Sequence, residues 1–410
     1  MSRFLFAWEL GGGLGHLGPL LPVARGLRAR GHQVAFALRD LSGLAALDPA
    51  AELQALQAPV CIRNYPGLAE PPLNYAEVLM RYGYLEPDTL GGLVRGWREL
   101  VRLTGADVIV ADHAPTAIVA AKTLGLRCAL TGNGFYVPPM VSPTPSMRPW
   151  VSVPPARLAD SDRRVVDTMN AVFDAFGSAR IAHLHELFDV DAIVMTALAE
   201  LDQYTGRGEA DLKRMVFCGP VASIGADAAA PVWPAIEGKR IFAYLKPDYP
   251  HLTAVLNALA TSAQPCLIYG LGSGPGTLAA AANLAFATRP VDVEAAGREC
   301  AIGICHASST TTGALLLAGR PLLLLPMQLE QFLAGNRVAE LGAGLVINPE
   351  DQQPDIPGQL ARLLADQQLS AGARRFAERY RDWSADRILD NIVSRLASVA
   401  TASRPNLAGI

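Results

Sequence analysis

The sequence predicts an α/β protein of two domains, each built on a parallel β-sheet. Three observations carry that reading. The chain has 410 residues, long for one domain and natural for two. Half of its residues are hydrophobic and only 18% are charged, with aliphatic side chains far outnumbering aromatic ones, as suits strands buried on both faces. Short apolar runs alternate with longer segments of helical period in both halves, the pattern of βαβ units.

The elements follow in order. Residues 4–8 form a short apolar strand, and 9–15 a Gly-rich turn. Residues 17–30 form a helix, with Leu17, Leu20, Leu21, Ala24 and Leu27 on one face and Gly31 closing it. Residues 33–38 are the next strand. Later come a strand over 107–111 ending at Asp112-His113, a helix over 115–125 and a strand over 127–130. Strands over 192–196 and 214–218 complete this half. Residues 220–238, rich in Ala, Gly and Pro, read as a linker.

The second half repeats the alternation. Its strands lie at 240–244, 265–269, 300–305, 321–325 and 344–347, with a helix over 314–318. Residues 351–399 read as mostly helical and the tail from Thr401 as disordered. Two such halves imply a cleft at the C-terminal ends of their strands, where such sheets bind ligands.

Charge and composition exclude several classes. A net charge of -3, without a Lys/Arg block, gives no footprint for nucleic acid. The cysteines at 61, 128, 218, 266, 300 and 305 form no CxxC pair and sit mostly in apolar runs. They read as reduced core thiols of a cytoplasmic protein, neither metal ligands nor disulfides. No apolar run reaches membrane-spanning length, which leaves peripheral membrane contact open. The N-terminus reads as a strand entering a Gly-rich loop, not as a signal peptide.

The stretch 303–344 is the most informative. A strand runs into His306-Ala307-Ser308-Ser309-Thr310-Thr311-Thr312-Gly313 ahead of an apolar helix. First-turn N–H groups lack intrahelical partners and the helix dipole favours negative charge there. A helix cap needs one hydroxyl. Five in a row beside a histidine predict an anion site.

From this turn through Pro326-Met327-Gln328-Leu329-Glu330-Gln331 to Val338-Ala339-Glu340-Leu341-Gly342-Ala343-Gly344, the sequence resembles the donor-binding signature of nucleotide-sugar glycosyltransferases with the GT-B fold. It is most similar to family 1 UDP-glycosyltransferases and their bacterial antibiotic- and lipid-glycosylating relatives. The resemblance implies two Rossmann-like domains facing across a cleft. It implies an acceptor-binding domain over 1–219, the linker over 220–238 and a donor-binding domain over 239–380. A last helix over 381–400 would cross back to the first domain, followed by a tail over 401–410.

The resemblance also implies site residues. His306, Thr310 and Thr311 would face the diphosphate, with Ser308 and Ser309 in the same donor-binding turn and Gly15 from the first Gly-rich loop. Glu330 and Gln331 would contact sugar hydroxyls. Arg289-Pro290-Val291 resembles the loop that grips the nucleotide base, which assigns Val291 there. Two departures stand out: Ala307-Ser308 replaces the usual Gly-Gly, and Ala334 replaces the usual Asn.

Gly13-Leu14-Gly15-His16-Leu17-Gly18 also matches G-x-G-x-x-G after a strand, with Asp40 ending the next strand. That is a dinucleotide fingerprint. Against it, Pro19 follows at once and a bulky His16 stands where a pyrophosphate would press closest. Gly-His-x-x-Pro resembles instead the acceptor-side loop of the same glycosyltransferases, where the histidine is the general base and an Asp at the place of Asp112 orients it. Chemically, a hydroxyl acceptor needs a base near neutrality, and a carboxylate fixes the tautomer. Asp112 has a second reading, as cap of the helix starting near Pro115. His113 is a rival base. Neighbours on a strand end point to opposite faces, so only one of the two enters the cleft.

Residues 64–87 and 133–150, rich in Tyr, Pro, Gly and Met, read as irregular loops that shape an acceptor pocket or simply cover the sheet. They supply Tyr82, Phe135 and Tyr136 as acceptor-binding candidates. A second Gly-rich turn over 268–276 adds phosphate donors or is only flexible. His183 and His185 lack a third ligand nearby and read as packing or surface residues on a helix.

The sequence thus points to an inverting glycosyltransferase. It would move a sugar from a UDP- or TDP-sugar co-substrate to a hydroxyl of a small-molecule or lipid acceptor. His16 would be the base, and no metal or other cofactor would be required. The alternatives are an FAD- or NAD-dependent oxidoreductase using the Gly13–Gly18 loop, a nucleotide-sugar epimerase of the same fold, and a non-catalytic binding protein.

Overall fold

The structure is a computed structural model that describes residues 1–12, 14–42, 44, 48, 53–221, 228–272 and 281–402. Gly13, most of the second Gly-rich turn, part of the linker and the tail from residue 403 lie outside the described residues. The chain divides into two compact units.

The first unit holds Met1–Thr196, Tyr204–Cys218 and the chain from Asp386 onward. Its elements run β1 (Arg3–Trp8), α1 (Leu14–Ala29), β2 (Gln33–Leu38), β3 (Gln54–Gln57), α2 (Tyr75–Met80), α3 (Pro87–Thr104) and β4 (Val108–Asp112). Then come α4 (Pro115–Leu124), β5 (Arg127–Thr131), α5 (Pro155–Ala175), β6 (Ala192–Met195), α6 (Glu209–Arg214) and β7 (Met215–Phe217). The strands form one parallel sheet in the order β3-β2-β1-β4-β5-β6-β7. Its centre is apolar on both faces. Leu5 and Ala7 of β1 join a core with Val94 and Trp97, while Phe6 stacks on Phe36 at 5.2 Å.

The second unit holds Ala197–Gln203 and Gly219–Ala385. Its elements are β8 (Ile241–Tyr244), α7 (Leu252–Thr261), β9 (Cys266–Tyr269), β10 (Leu284–Ala287), α8 (Val293–Glu299), β11 (Ile302–Cys305) and α9 (Ser309–Leu317). β12 (Leu322–Leu324), α10 (Leu329–Glu340), β13 (Gly344–Val346), α11 (Ile356–Ala365) and α12 (Gln367–Arg379) follow. The last helix, α13 (Ala385–Thr401), belongs from Asp386 to the first unit. This sheet is also parallel, in the order β10-β9-β8-β11-β12-β13. Both sheets thus run outward in two directions from a central pair, β1/β4 and β8/β11.

Several elements differ from the sequence reading. α1 begins at Leu14 rather than at 17 and runs through Pro19 and Pro22. Both lie past its first turn, so each keeps a helical φ but removes one i→i−4 hydrogen bond, a local cost set against the burial of Leu17, Leu20, Leu21 and Leu27. The segment 64–87 is not all loop, since it contains α2. α3 and α5 carry only weak helical signals in the sequence. In α3 the stripe Leu90, Val94, Trp97, Val101 is diluted by glycines, and in α5 the buried stripe opens with polar Ser161 and Asp162. β3 and β10 are edge strands with half-exposed residues, so they lack the apolar run that marks a central strand. The 183–187 segment is a 3-10 turn, Leu184–Phe188, with His183 at its N-cap.

Among the described residues, no helix is long and apolar enough to cross a membrane, and no group of three or more metal-ligating side chains exists. All six cysteines are free.

Candidate active site

A parallel sheet offers its ligand site beyond the strand C-termini, where the strand order turns. In the first unit that point lies between β1 and β4. Asp112 is the last residue of β4, and His16 is the third residue of α1, the helix that β1 feeds. His16 Nδ1 lies 3.3 Å from Asp112 Oδ2, and both side chains are buried. A carboxylate only accepts, so it holds the proton on Nδ1 and leaves Nε2 basic. Nε2 faces the Tyr136 hydroxyl at 3.5 Å. The imidazole stacks on Trp8 at 5.3 Å, and Trp8 is itself fixed by donating from Nε1 to the Leu10 carbonyl at 2.7 Å.

Asp112 does not cap α4. Ala114 occupies the N-cap position without a side-chain bond. The cap comes instead from Glu9. Thr116 donates its N–H to Glu9 Oε2 at 2.9 Å and its hydroxyl to Glu9 Oε1 at 2.5 Å. Tyr84 Oη stands 3.1 Å from the same Thr116 hydroxyl. Glu9 is 1% exposed, and burial pushes its carboxyl up to about 7 despite the bonds from Thr116. Beside it, Leu10 N–H donates to the His113 carbonyl at 2.9 Å. These contacts tie the loop leading to His16 to the loop that follows Asp112.

The expected alternation at the end of β4 fails. His113 has φ +46, a left-handed backbone, so its side chain does not point away from that of Asp112. Its ring stacks on Tyr136 at 3.9 Å and lies 6.0 Å from His16, so both Asp112 and His113 flank the same imidazole. Neither His113 ring nitrogen has a hydrogen-bond partner, and both are buried. Burial, then the neighbouring His16, holds His113 well below the usual imidazole range, and so neutral. The unpaired donor and the backbone strain each cost roughly 1–3 kcal/mol.

Gly11 explains how these rings fit. It has φ +83, and a Cβ there would sit 2.5 Å from His16 Nε2 and 3.4 Å from His113 Nδ1. Phe135 and Tyr136 lie on a 3-10 turn, Gly134–Tyr136, capped by Asn133, whose side chain accepts from Phe135 N–H at 3.1 Å. Phe135 meets Tyr136 edge-on at 5.9 Å. Tyr82 is half-buried against the core. The residue of that segment that reaches this cluster is Tyr75, 6.1 Å from the His113 ring. Gly15 is exposed on α1.

In the second unit the corresponding point lies between β8 and β11. The helix after β11 starts at Ser309, not at 314, so the hydroxyl run forms its first turns. Ser308 is the N-cap residue, yet its side chain makes no capping bond. Ser309 and Thr310 are half-buried, whereas Thr311 and Thr312 are buried, with Thr312 Oγ1 3.5 Å from Cys305 Sγ. His306 is fully occupied by backbone. Its Nδ1–H donates to the Leu325 carbonyl at 2.7 Å, and its Nε2 accepts from Lys246 N–H at 2.9 Å. Burial lowers its pKa, in keeping with the neutral tautomer these bonds require. The ring therefore fastens the ends of β8, β11 and β12 and holds the turn's shape, including Ala307 at φ +58.

Glu330 and Gln331 lie in the first turn of α10. Gln331 is buried and accepts from Met327 N–H at 2.8 Å, while Glu330 is half-buried. Val291 is buried and bridges to Ala229, with Asp292 N–H donating to the Ala229 carbonyl at 2.9 Å. Sequence reasoning passed over Trp8, Glu9, Gly11 and Thr116. The one signal available was a carboxylate placed directly after a wholly apolar strand.

No protein-family model matches this chain. A curated PGL/p-HBAD biosynthesis glycosyltransferase of Mycobacterium tuberculosis strain H37Ra is 29% identical over 130 residues. The match spans 32% of this chain and 30% of that relative, less than a third of its length. Solved structures match nearly end to end. CalG4, the calicheamicin glycosyltransferase, superposes with a TM-score of 0.68 at 18% identity, covering 97% of this chain and 99% of that one. Glycosyltransferase VinC, solved in complex with DTDP, gives 0.63 at 18% identity, covering 97% and 99%. The architecture is therefore GT-B, with two parallel-sheet α/β domains.

Proposed function

We propose that this chain is a glycosyltransferase that moves a sugar from a nucleotide diphosphate sugar to a hydroxyl acceptor with inversion. The buried His16–Asp112 pair carries the reading, because a base with an enforced tautomer is what a hydroxyl nucleophile needs. His16 Nε2 takes the acceptor proton as the oxygen attacks the anomeric carbon. The bond to the diphosphate breaks, and its electron pair leaves with the nucleotide. Asp112 stabilises the imidazolium that forms.

The donor falls to the second unit in this scheme. The N-terminus of α9 meets the charge growing on the leaving diphosphate, with Ser308, Ser309 and Thr310 adding donors. His306 and buried Thr311 keep the turn in shape. Glu330 and Gln331 serve the sugar hydroxyls and Val291 the base. VinC, bound to DTDP, supports a TDP or UDP donor. Trp8 and Tyr136 pack against the His16 ring and Phe135 meets Tyr136 edge-on, so the surroundings of the base are aromatic, which suits an apolar small-molecule or lipid acceptor. Free thiols throughout agree with a cytoplasmic setting.

The test combines binding and turnover. UDP or TDP should raise the melting midpoint, by an amount set by RT ln(1 + [L]/Kd), while FAD and NAD(P) should not. His16→Ala should keep that shift and lose transfer from TDP- or UDP-glucose to 2-chloro-4-nitrophenol by roughly 10²–10⁴-fold. A shift with FAD or NAD(P) alone would return the Gly13–Gly18 loop to the dinucleotide reading. Sugar isomerisation without acceptor would make the chain an epimerase.

A further inference from the structure

The hydroxyl turn that opens α9 carries no formal charge. Its Ser and Thr side chains are neutral, and His306, with backbone on both ring nitrogens, is held neutral as well. A diphosphate leaving a sugar gains negative charge as its bond breaks. A fixed cation beside the turn is the group that chemistry asks for.

The backbone brings one there. Strand β8 lies beside β11, with Ala243 paired to Ile304. Its ladder continues past Tyr244, because Leu245 N–H donates to the Tyr269 carbonyl at 2.9 Å. Counting on from that pair, Lys246 comes level with Ala307, the residue before Ser308. The Lys246 N–H donates to His306 Nε2 at 2.9 Å, which fixes its backbone against the turn.

Alternation gives the side chain its face. Tyr244 packs against the core that holds Ala307 and the α9 residues Leu315 and Leu316, whereas Leu245 enters the core on the other face. Lys246 is next in line, so it falls on the face of Tyr244 and α9. Its charge reaches the His306 ring, where it adds to the lowering that burial begins. The exposed Asp248 acts on that ring in the opposite sense. Lys246 is half-buried, and among the described residues its ammonium joins no ion pair.

We infer that Lys246 is a catalytic residue of this reaction, whose ammonium holds the donor diphosphate and takes up the charge released onto it. This rests on the glycosyl-transfer reading above. As the acceptor oxygen bonds to the anomeric carbon, the bond from that carbon to the diphosphate oxygen breaks. The electron pair stays on the departing oxygen. Lys246 donates a hydrogen bond to the phosphate and keeps its proton, so the nucleotide leaves as the anion. The attraction is stronger after the bond breaks than before, so it lowers the barrier as well as tightening binding.

The experiment uses the full chain, titrated with UDP and TDP and assayed with UDP- and TDP-glucose on 2-chloro-4-nitrophenol. Lys246→Met keeps an unbranched stem and removes the charge. Any residue but proline keeps the N–H bond to His306, so the melting temperature without nucleotide should match wild type. Affinity for UDP or TDP should fall at least tenfold, and kcat at saturating donor should fall at least tenfold as well. Lys246→Arg keeps a positive charge and should recover part of both losses. Wild-type affinity or wild-type kcat in Lys246→Met would overturn the inference and leave the transferase reading standing. So would equal losses in the two variants, since charge would then not be the agent. A wild-type chain that binds neither UDP nor TDP, or transfers neither sugar, would overturn both.

Discussion

Glu9 caps a helix whose first turn lies far along the chain: its carboxylate accepts from the Thr116 N–H at 2.9 Å and from the Thr116 hydroxyl at 2.5 Å, across 107 positions. The contact joins the loop before His16 to the loop after Asp112. It also leaves a carboxyl group buried near neutrality.

Glu9 therefore makes stability depend on pH. Its folded value is about 7, against an ordinary 4.5. Between those values the folded state keeps a proton that the unfolded chain has lost, so stability falls as pH rises through that window. The loss amounts to about 3 kcal/mol. Glu9→Gln keeps a neutral cap without the titration. Between pH 5 and 8 the wild-type midpoint should fall by roughly 6–12 °C more than that of the variant. Parallel curves would show that Glu9 does not titrate there.

Asp112→Asn should keep the His16 contact but no longer enforce the tautomer or stabilise the imidazolium. Transfer should fall by roughly 10²–10⁴-fold with nucleotide binding intact. Adding His16→Ala should bring little further loss, because the pair acts as one unit. Multiplicative losses in the double variant would separate the two residues.

Gly11→Ala would bring a methyl group to 2.5 Å from His16 Nε2 in a left-handed backbone. The imidazole must move. Turnover should drop by roughly tenfold or more, because small displacements of a base are costly. The melting temperature should fall by an amount matching about 1 kcal/mol of strain. Unimpaired transfer would mean that His16 works from another position.

Ser308→Ala and His306→Ala should behave oppositely. Ser308 makes no capping bond, so its loss should leave stability within about 0.5 kcal/mol. UDP or TDP should bind more weakly, by roughly 1.5–3 kcal/mol. His306→Ala strands the Lys246 N–H and the Leu325 carbonyl, at roughly 1–3 kcal/mol each. Calorimetric titration beside thermal melts distinguishes the two. A destabilised Ser308→Ala with unchanged nucleotide affinity would make the turn a plain cap.

Much of the architecture was legible because central parallel strands must be apolar on both faces. Residues 4–8, 107–111 and 300–305 announce themselves as strands, and Gly125 stops α4 in left-handed form. Edge strands β3 and β10 stayed hidden because half their surface meets water and needs no apolar run. α5 stayed hidden because its first buried positions are Ser161 and Asp162, satisfied by contacts with Glu77, Thr144 and Asn74 that are remote in sequence.

The same division runs through the site. Sequence alone determined which chemistry was present: an imidazole in the loop-to-helix stretch after one strand, a carboxylate at the end of another, and a hydroxyl-rich turn at a helix start. Those follow from local patterns, strand to turn to helix. Tertiary structure decided the assignments among them. It brought His16 to Asp112 across 96 positions, gave the α4 cap to Glu9 instead of Asp112, and engaged His306 with backbone on both nitrogens. It also turned His113 toward His16 through one positive φ. The physical reason is that a hydrogen bond is settled by whichever partner the packed sheet delivers within about 3 Å, and a sequence does not display that distance.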